Sequence, residues 1–448
     1  MKIRWIILLL QVLKTSGFFL NVPFGPRVRI SDREQNMPLK SAFVPESLNG
    51  FYGLIGPDLI MHNKTSLFEL FTGDGIVQGA FFKNGQITFV KHLIRTDKLK
   101  YENINGRISE NIFVKLIIMF LATLNMMPNI LGVANTALIN INKKVYALYE
   151  RDAPYLLNVD FENQTVDTIH KTRLFSMKSF SAHSKFTDPF VETLDYHVLG
   201  KYVNYLILTE NMEIMKKVKI NTRYLPVVHD FVSTGRATIL CDAPIVLDIL
   251  SIFKKKLPVR FDTNKKTYFY YIPKHESKVD TYTSDLAFYL FHYARAFENE
   301  ERIELFGAVY ENLDFNELNI QGRYRKIILH KSDKRVTMES NPVLETMNLD
   351  FPVQYGGKIV LRKIENNIIT GFVICKDLTI IKEVTYGDKF ICGEPALMNN
   401  TLVFFANDLI SKCGVLMLLN LDTYEKVEIP ISDDTLSIGF HSLFLEPT

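Results

Sequence analysis

Along most of the chain, apolar residues come in short runs that meet a polar turn and are followed by an alternating strand. YLLNVDFENQTVDTI (155–169), YLILTENMEIMKKVKI (205–220), FVICKDLTIIKEVTY (372–386) and MLLNLDTYEKVEIPI (417–431) share this form. Alternation buries one face of a strand and wets the other, and a polar turn folds the chain back, so each segment predicts a hairpin. The first two segments start 50 residues apart and the last two 45 apart, a spacing that suits the blades of a propeller. The pattern predicts an all-β chain, although other β-folds make such hairpins too.

Two segments break this rhythm. Ser109 and Glu110 lead into IFVKLIIMFLATLNMM (112–127), and Pro128 follows at once. A polar start, a long apolar run and a terminal proline predict a helix. Sixteen residues of helix would extend about 24 Å, short of the roughly 30 Å of a hydrocarbon core. The segment 109–128 is therefore expected to be a cap helix that packs on the body or touches a membrane surface without crossing it. VLDILSIFKKKLP (246–258), apolar and then basic, could add an interfacial contact. The second break is at the start, where Lys2 and Arg4 precede WIILLLQVL (5–13) and the small residues Thr15, Ser16 and Gly17. This resembles a short secretory signal and equally suits a hydrophobic arm packed on the body. The expected organisation is an arm over 1–44 and one domain over 45–448, since no Gly/Ser tract, Pro-rich run or long charge block marks a linker.

Charge and cysteine usage narrow the function classes. A net charge of +3 with acids and bases interspersed gives no electrostatic footprint for nucleic acid. The four cysteines lack CxxC spacing and the density of a disulfide scaffold, which favours a reducing, cytoplasmic setting, with secretory entry the alternative; peripheral membrane association is expected through the apolar residues 112–127.

Histidine carries the candidate chemistry. His183, His229, His292 and His441 each sit in an apolar or aromatic strand-like context, whereas His92, His170, His275 and His330 adjoin a lysine, as solvated residues do. Taken singly, each of the first four could be a core imidazole bonded to a backbone carbonyl. As a set they look like a metal site. The gaps between them are 46, 63 and 149 residues, so no compact motif of the HExxH kind is present and the ligands would come from four separate elements.

The surroundings of these histidines resemble the carotenoid cleavage oxygenase family. LNGFYGLIGPDL (48–59) is similar to the family's entry segment, 67–99 to its Gly-Asp-Gly hairpins, and GVANTALININKKVYALYE (132–150) to its Asn-Thr and Ala-Leu-x-Glu strands. The four histidine motifs follow in order: SAHSKFTDPFVE (181–192), VVHDFVST (227–234), FHYARAFE (291–298) and GFHSLF (439–444). The resemblance implies a seven-bladed β-propeller with a small helical cap over the iron face. It implies one ferrous ion per chain on His183, His229, His292 and His441. It also implies acids behind three of them, at Glu150, Asp350 and Glu394. Carboxylates that accept the distal N–H fix each ring's tautomer and bring negative charge toward the ion.

Some positions depart from the family pattern. Leu54 and Ile55 replace Arg-Asn, Thr72 replaces an Asp, Arg295 replaces an Asn, and Asp350 replaces a Glu. The shorter Asp350 would need a backbone shift or a bridging water to reach its histidine. The activity implied is cleavage of a conjugated C=C bond of a carotenoid or apocarotenoid by dioxygen, giving carbonyl products, with no catalytic group beyond the metal site. Iron-dependent retinoid-ester isomerohydrolysis and stilbene cleavage are alternatives on the same site. A metal-free propeller acting as a binding module is the alternative of another class.

Overall fold

The computed structural model describes residues 34–39, 48–58, 67–109, 111–124, 126–172, 177–254, 256–318 and 320–447. Its strands form seven blades around a common axis, a β-propeller as the sequence predicts. The signal-like segment 5–13 lies outside the described residues, as does all of the 1–44 arm but 34–39.

Blade one joins the two ends of the chain. Its order is Gln35–Leu39, Gln86–Leu93, Gly75–Lys83, Gly50–Pro57 and last Ser442–Leu445, which lies antiparallel to Gly50–Pro57 with Leu54 opposite Ser442. Pairing the last strand with an early one closes the ring and leaves only short blade edges unpaired. Blades two to six are four-stranded antiparallel sheets: 137–171, 185–221, 231–283, 289–339 and 348–385. Blade seven, 389–432, has a first strand split into Lys389–Ile391 and Ala396–Met398, both paired to Thr401–Asp408. All four hairpins read from the sequence are present, each as the outer pair of its blade. Local turn chemistry supports them: Asn84 and Gly85, between the hairpin strands of blade one, both have positive φ, the pair that a two-residue hairpin turn requires.

Apolar side chains pack between neighbouring blades. Tyr52, Phe82 and Phe89 of blade one meet Phe405, Leu416 and Leu418 of blade seven, and Ala294, Phe306 and Tyr324 of blade five meet Leu349, Ile359 and Val373 of blade six. This leaves the polar ends of the innermost strands to meet at the axis.

The helix expected over 112–127 is shorter, Ile112–Thr123. Asn111 caps its start by accepting from the Phe113 N–H. At its end the Thr123 carbonyl accepts from Lys178 Nζ at 2.6 Å. Ile118 packs with Ile108 and Ile130, while Phe113, Ile117, Met119, Phe120 and Leu124 remain exposed. Among the described residues no helix is long and apolar enough to cross a membrane.

Candidate metal centre

Each of the seven blades sends one residue to the axis. His183 and His229 lie just before the first strands of blades three and four, His292 lies in the first strand of blade five, and His441 lies just before the closing strand of blade one. Glu150 comes from blade two, Asp350 from blade six and Glu394 from the break in the first strand of blade seven. Thus all seven residues singled out in the sequence meet in one place, and the large gaps between them are the lengths of whole blades.

The four imidazoles converge through one nitrogen each, all within 4.8 Å of one another. His183 Nε2 lies 3.1 Å from His229 Nε2, and His292 Nε2 lies 3.3 Å from His441 Nε2. The other ring nitrogens face acids. His229 Nδ1 is 2.6 Å from Glu150, His292 Nδ1 is 2.9 Å from Asp350 and His441 Nδ1 is 3.2 Å from Glu394. A carboxylate can only accept, so these three rings carry their proton on Nδ1 and present Nε2 as a lone pair. His292 and His441 therefore point lone pair at lone pair, an arrangement that repels unless a cation lies between. Two nitrogens about 2.1 Å from one ion are roughly 3.0 Å apart at a right angle and roughly 3.4 Å apart at a tetrahedral one, which brackets both distances. The donor set fits a metal ion.

The electrostatics agree with this. Burial alone would raise the carboxyls of Glu150, Asp350 and Glu394, but the histidine N–H groups that face them outweigh it and hold all three below the usual carboxylate range. Burial, reinforced by the neighbouring imidazoles, holds His183 well below the usual imidazole value. His441 is lowered too, by burial, with Glu394 opposing. Neutral rings are what a metal requires. His183 has no carboxylate of its own, since Asp230 stands 3.9 Å from its Nδ1 and instead binds Lys185 at 2.7 Å. His292 and His441 are buried, whereas His183 and His229 keep some exposure.

The departures have local explanations. Asp350 reaches His292 directly because the strand bulges after it, with the register shifting between Asp350 and Val353 and Phe351 at φ +56°. The expected backbone shift is present and no bridging water is needed. Leu54 is buried against Gly393 and Gly439, where any side chain would collide with it. Arg295 points away from the axis, pairing with Asp377 with its guanidinium against the rings of Phe297 and Phe306. Thr72 ends the helix Leu67–Thr72, where Asn135 Nδ2 donates to the Phe71 and Gly73 carbonyls.

Sequence reasoning did not find three further residues at the centre. Tyr310 donates to the second oxygen of Asp350 at 2.6 Å. The Phe351 ring lies 4.3 Å from that of His292 and 5.1 Å from that of His441. Arg362 lies beneath Phe351, its guanidinium carbon 3.2 Å from the ring centroid. None of the three carried a local sign of this placement: Arg362 is one of three charges in IVLRKIE (359–365).

A seven-bladed propeller with four converging imidazoles, three of them backed by acids, defines a class in which the ring of blades forms a site that could hold a metal ion. Residues 30–363 match the family model described as retinal pigment epithelial membrane protein, and the chain belongs to that carotenoid cleavage oxygenase family. It is 29% identical over 309 residues to carotenoid 9,10(9',10')-cleavage dioxygenase 1 of Arabidopsis thaliana, covering 63% of this chain and 57% of that one. It is 28% identical over 322 residues to carotenoid 9,10(9',10')-cleavage dioxygenase of Crocus sativus, covering 67% and 58%. The chain thus spans less than two thirds of the length of these relatives. Among solved structures, the cobalt-substituted apocarotenoid oxygenase of Synechocystis shares the fold with a TM-score of 0.75 at 17% identity, over 95% of this chain and 98% of that one. The lignostilbene dioxygenase of Pseudomonas brassicacearum does so at 0.76 and 16%, over 95% and 100%.

Proposed function

We propose that the protein is an oxygenase that cleaves a conjugated C=C bond of a carotenoid or apocarotenoid with dioxygen, using one ferrous ion held by His183, His229, His292 and His441. The observation that carries this reading is the lone-pair-to-lone-pair approach of His292 and His441 Nε2 at 3.3 Å, with both Nδ1 protons held by acids. When bound, the ion supplies open coordination positions at which dioxygen is activated. The chain's own residues do the rest. Glu150, Asp350 and Glu394 hold the protons on Nδ1 and so aim the Nε2 lone pairs. The Phe351 ring, against His292 and His441, and the Phe291 ring, 5.5 Å from that of His229, give the centre apolar walls. A polyene offers little to hydrogen-bond, so shape and aromatic contact must position it.

The exposed apolar side chains of Ile112–Thr123, with Leu247, Ile249 and Leu250, support a peripheral contact with a lipid surface in which such a substrate dissolves. The deciding experiment measures iron per chain and oxygen uptake with an apocarotenoid, beside His292→Ala. About one iron and oxygen consumption in the wild type, with neither in the variant, is the expected result. Turnover of a retinoid ester without oxygen would favour the isomerohydrolase. Turnover of a stilbene alone would change the substrate, and a folded protein that takes up no iron would leave a binding module.

A further inference from the structure

Among the described residues, Arg362 is the one buried cation whose charge reaches this centre without a contact. It lies on Lys358–Glu365, the strand next to that of Asp350, and is the register partner of Asp350 across the pair. It is only 3% exposed, its Nε has no hydrogen-bond partner, and its guanidinium is stacked under Phe351. Asp350 has both oxygens occupied, by His292 and Tyr310, and Glu394 serves His441 and the Ser442 N–H. The arginine therefore acts on these acids through its field, and both oppose the effect of its burial. A buried guanidinium whose Nε lacks a partner is costly, and such a group persists where surrounding charge requires it.

Charge counting shows that requirement. Lys185 and Asp230 neutralise each other at 2.7 Å, and the imidazoles are neutral. Three carboxylates remain, Glu150, Asp350 and Glu394. With Arg362 counted they leave two negative charges, which match a divalent ion. Without it they leave three, which match a trivalent one. In a poorly solvated site a mismatch of one charge is expensive.

We infer that Arg362 is the positioning residue that balances the centre for the divalent state of its ion, raising the ferric/ferrous midpoint potential. This rests on the four-histidine iron reading, and the test separates the two. Iron is first titrated into wild-type protein, and the midpoint potential is then measured for wild type, Arg362→Met, Arg362→Lys and the double variant Arg362→Met with Asp350→Asn. Arg362→Met should shift the ferric-to-ferrous affinity ratio at least tenfold toward ferric, a fall of about 59 mV or more for one electron. Arg362→Lys should stay near wild type, and the double variant should return toward it, because removing opposite charges restores the balance. A purely packing role would not give that return. If Arg362→Met does not fold, the double variant and Arg362→Lys decide: a low potential in Arg362→Lys, which keeps the charge, overturns the inference. An unchanged potential in a folded, iron-loaded Arg362→Met overturns it as well. Wild type that binds no iron overturns the parent reading and this one with it.

Discussion

His292 and Asp350 are joined by a direct hydrogen bond of 2.9 Å, although Asp350 is one methylene shorter than the glutamate its position resembles. The reach is recovered in the backbone: the register shifts after Asp350, and Phe351 takes a left-handed conformation. The pair is thus fitted to aspartate. Asp350→Asn, which leaves a neutral acceptor, should weaken metal affinity roughly 10- to 100-fold. Asp350→Glu should not improve on wild type, because the longer side chain must fit a strand already bulged toward the histidine and would also displace the Tyr310 hydroxyl. Titration of the metal-free proteins with ferrous or cobaltous ion measures both, and tighter binding by Asp350→Glu would show that the bulge does not serve the pair.

How much of this centre the sequence disclosed depends on distance along the chain. His183, His229, His292 and His441 are legible because an imidazole in an apolar strand context is costly by itself, and the acids Glu150, Asp350 and Glu394 because a resemblance marks them. The outer hairpins are legible because alternation and turn residues are local. Arg362 and Tyr310 are not, since their meaning depends on the register of one strand against another and no local pattern records it. The helix end is a similar case. The apolar run continues to Met127, but the residue before Pro128 is disfavoured in the α region and the Thr123 carbonyl is taken by Lys178 from another part of the chain.

Metal-free protein should lose stability in two stages on acidification. His183 and His441 have imidazole pKa values lowered by burial, so below the ordinary value of about 6.5 the unfolded chain takes up protons that the folded one refuses. Stability then falls as pH drops from about 6.5 toward the lowered folded values. Glu150, Asp350 and Glu394 are also lowered, so their contribution is present above about 4 and is lost as pH falls through their folded values. Denaturant midpoints between pH 8 and pH 3 check this. A flat profile from 7 to 5 in the metal-free protein would contradict the buried neutral histidines.

Phe351 offers a test of strain at the site. Its φ of +56° is a left-handed conformation that costs a side chain of this kind on the order of 1 kcal/mol and costs glycine almost nothing. Both Phe351→Ala and Phe351→Gly remove the ring that covers His292, His441 and Arg362. Only glycine also relieves the backbone. Phe351→Gly should therefore be the more stable of the two by about 1 kcal/mol, the reverse of the usual order within a strand. Chemical denaturation of the two variants decides it, and alanine as the more stable would mean that the backbone relaxes once the ring is gone.

Leu54 and Gly439 should behave as a single unit. Gly439 runs close beside Leu54, its N–H donating to the Cys392 carbonyl at 2.6 Å, and two residues later the chain delivers His441. A methyl at 439 has no room while Leu54 is present, so Gly439→Ala must push the chain or Leu54 aside, at a cost of about 1–3 kcal/mol. Leu54→Ala opens a cavity in the contact between blades one and seven, at about 2–5 kcal/mol. In the double variant the new methyl occupies part of that cavity. Its loss should be smaller than the sum of the single losses by about 1 kcal/mol or more. Iron occupancy should follow the same order, with Gly439→Ala losing metal because His441 is displaced and the double variant recovering it. Additive losses in both measurements would mean that Leu54 does not set the position of the His441 strand, and that its place beside Glu394 and His441 is packing alone.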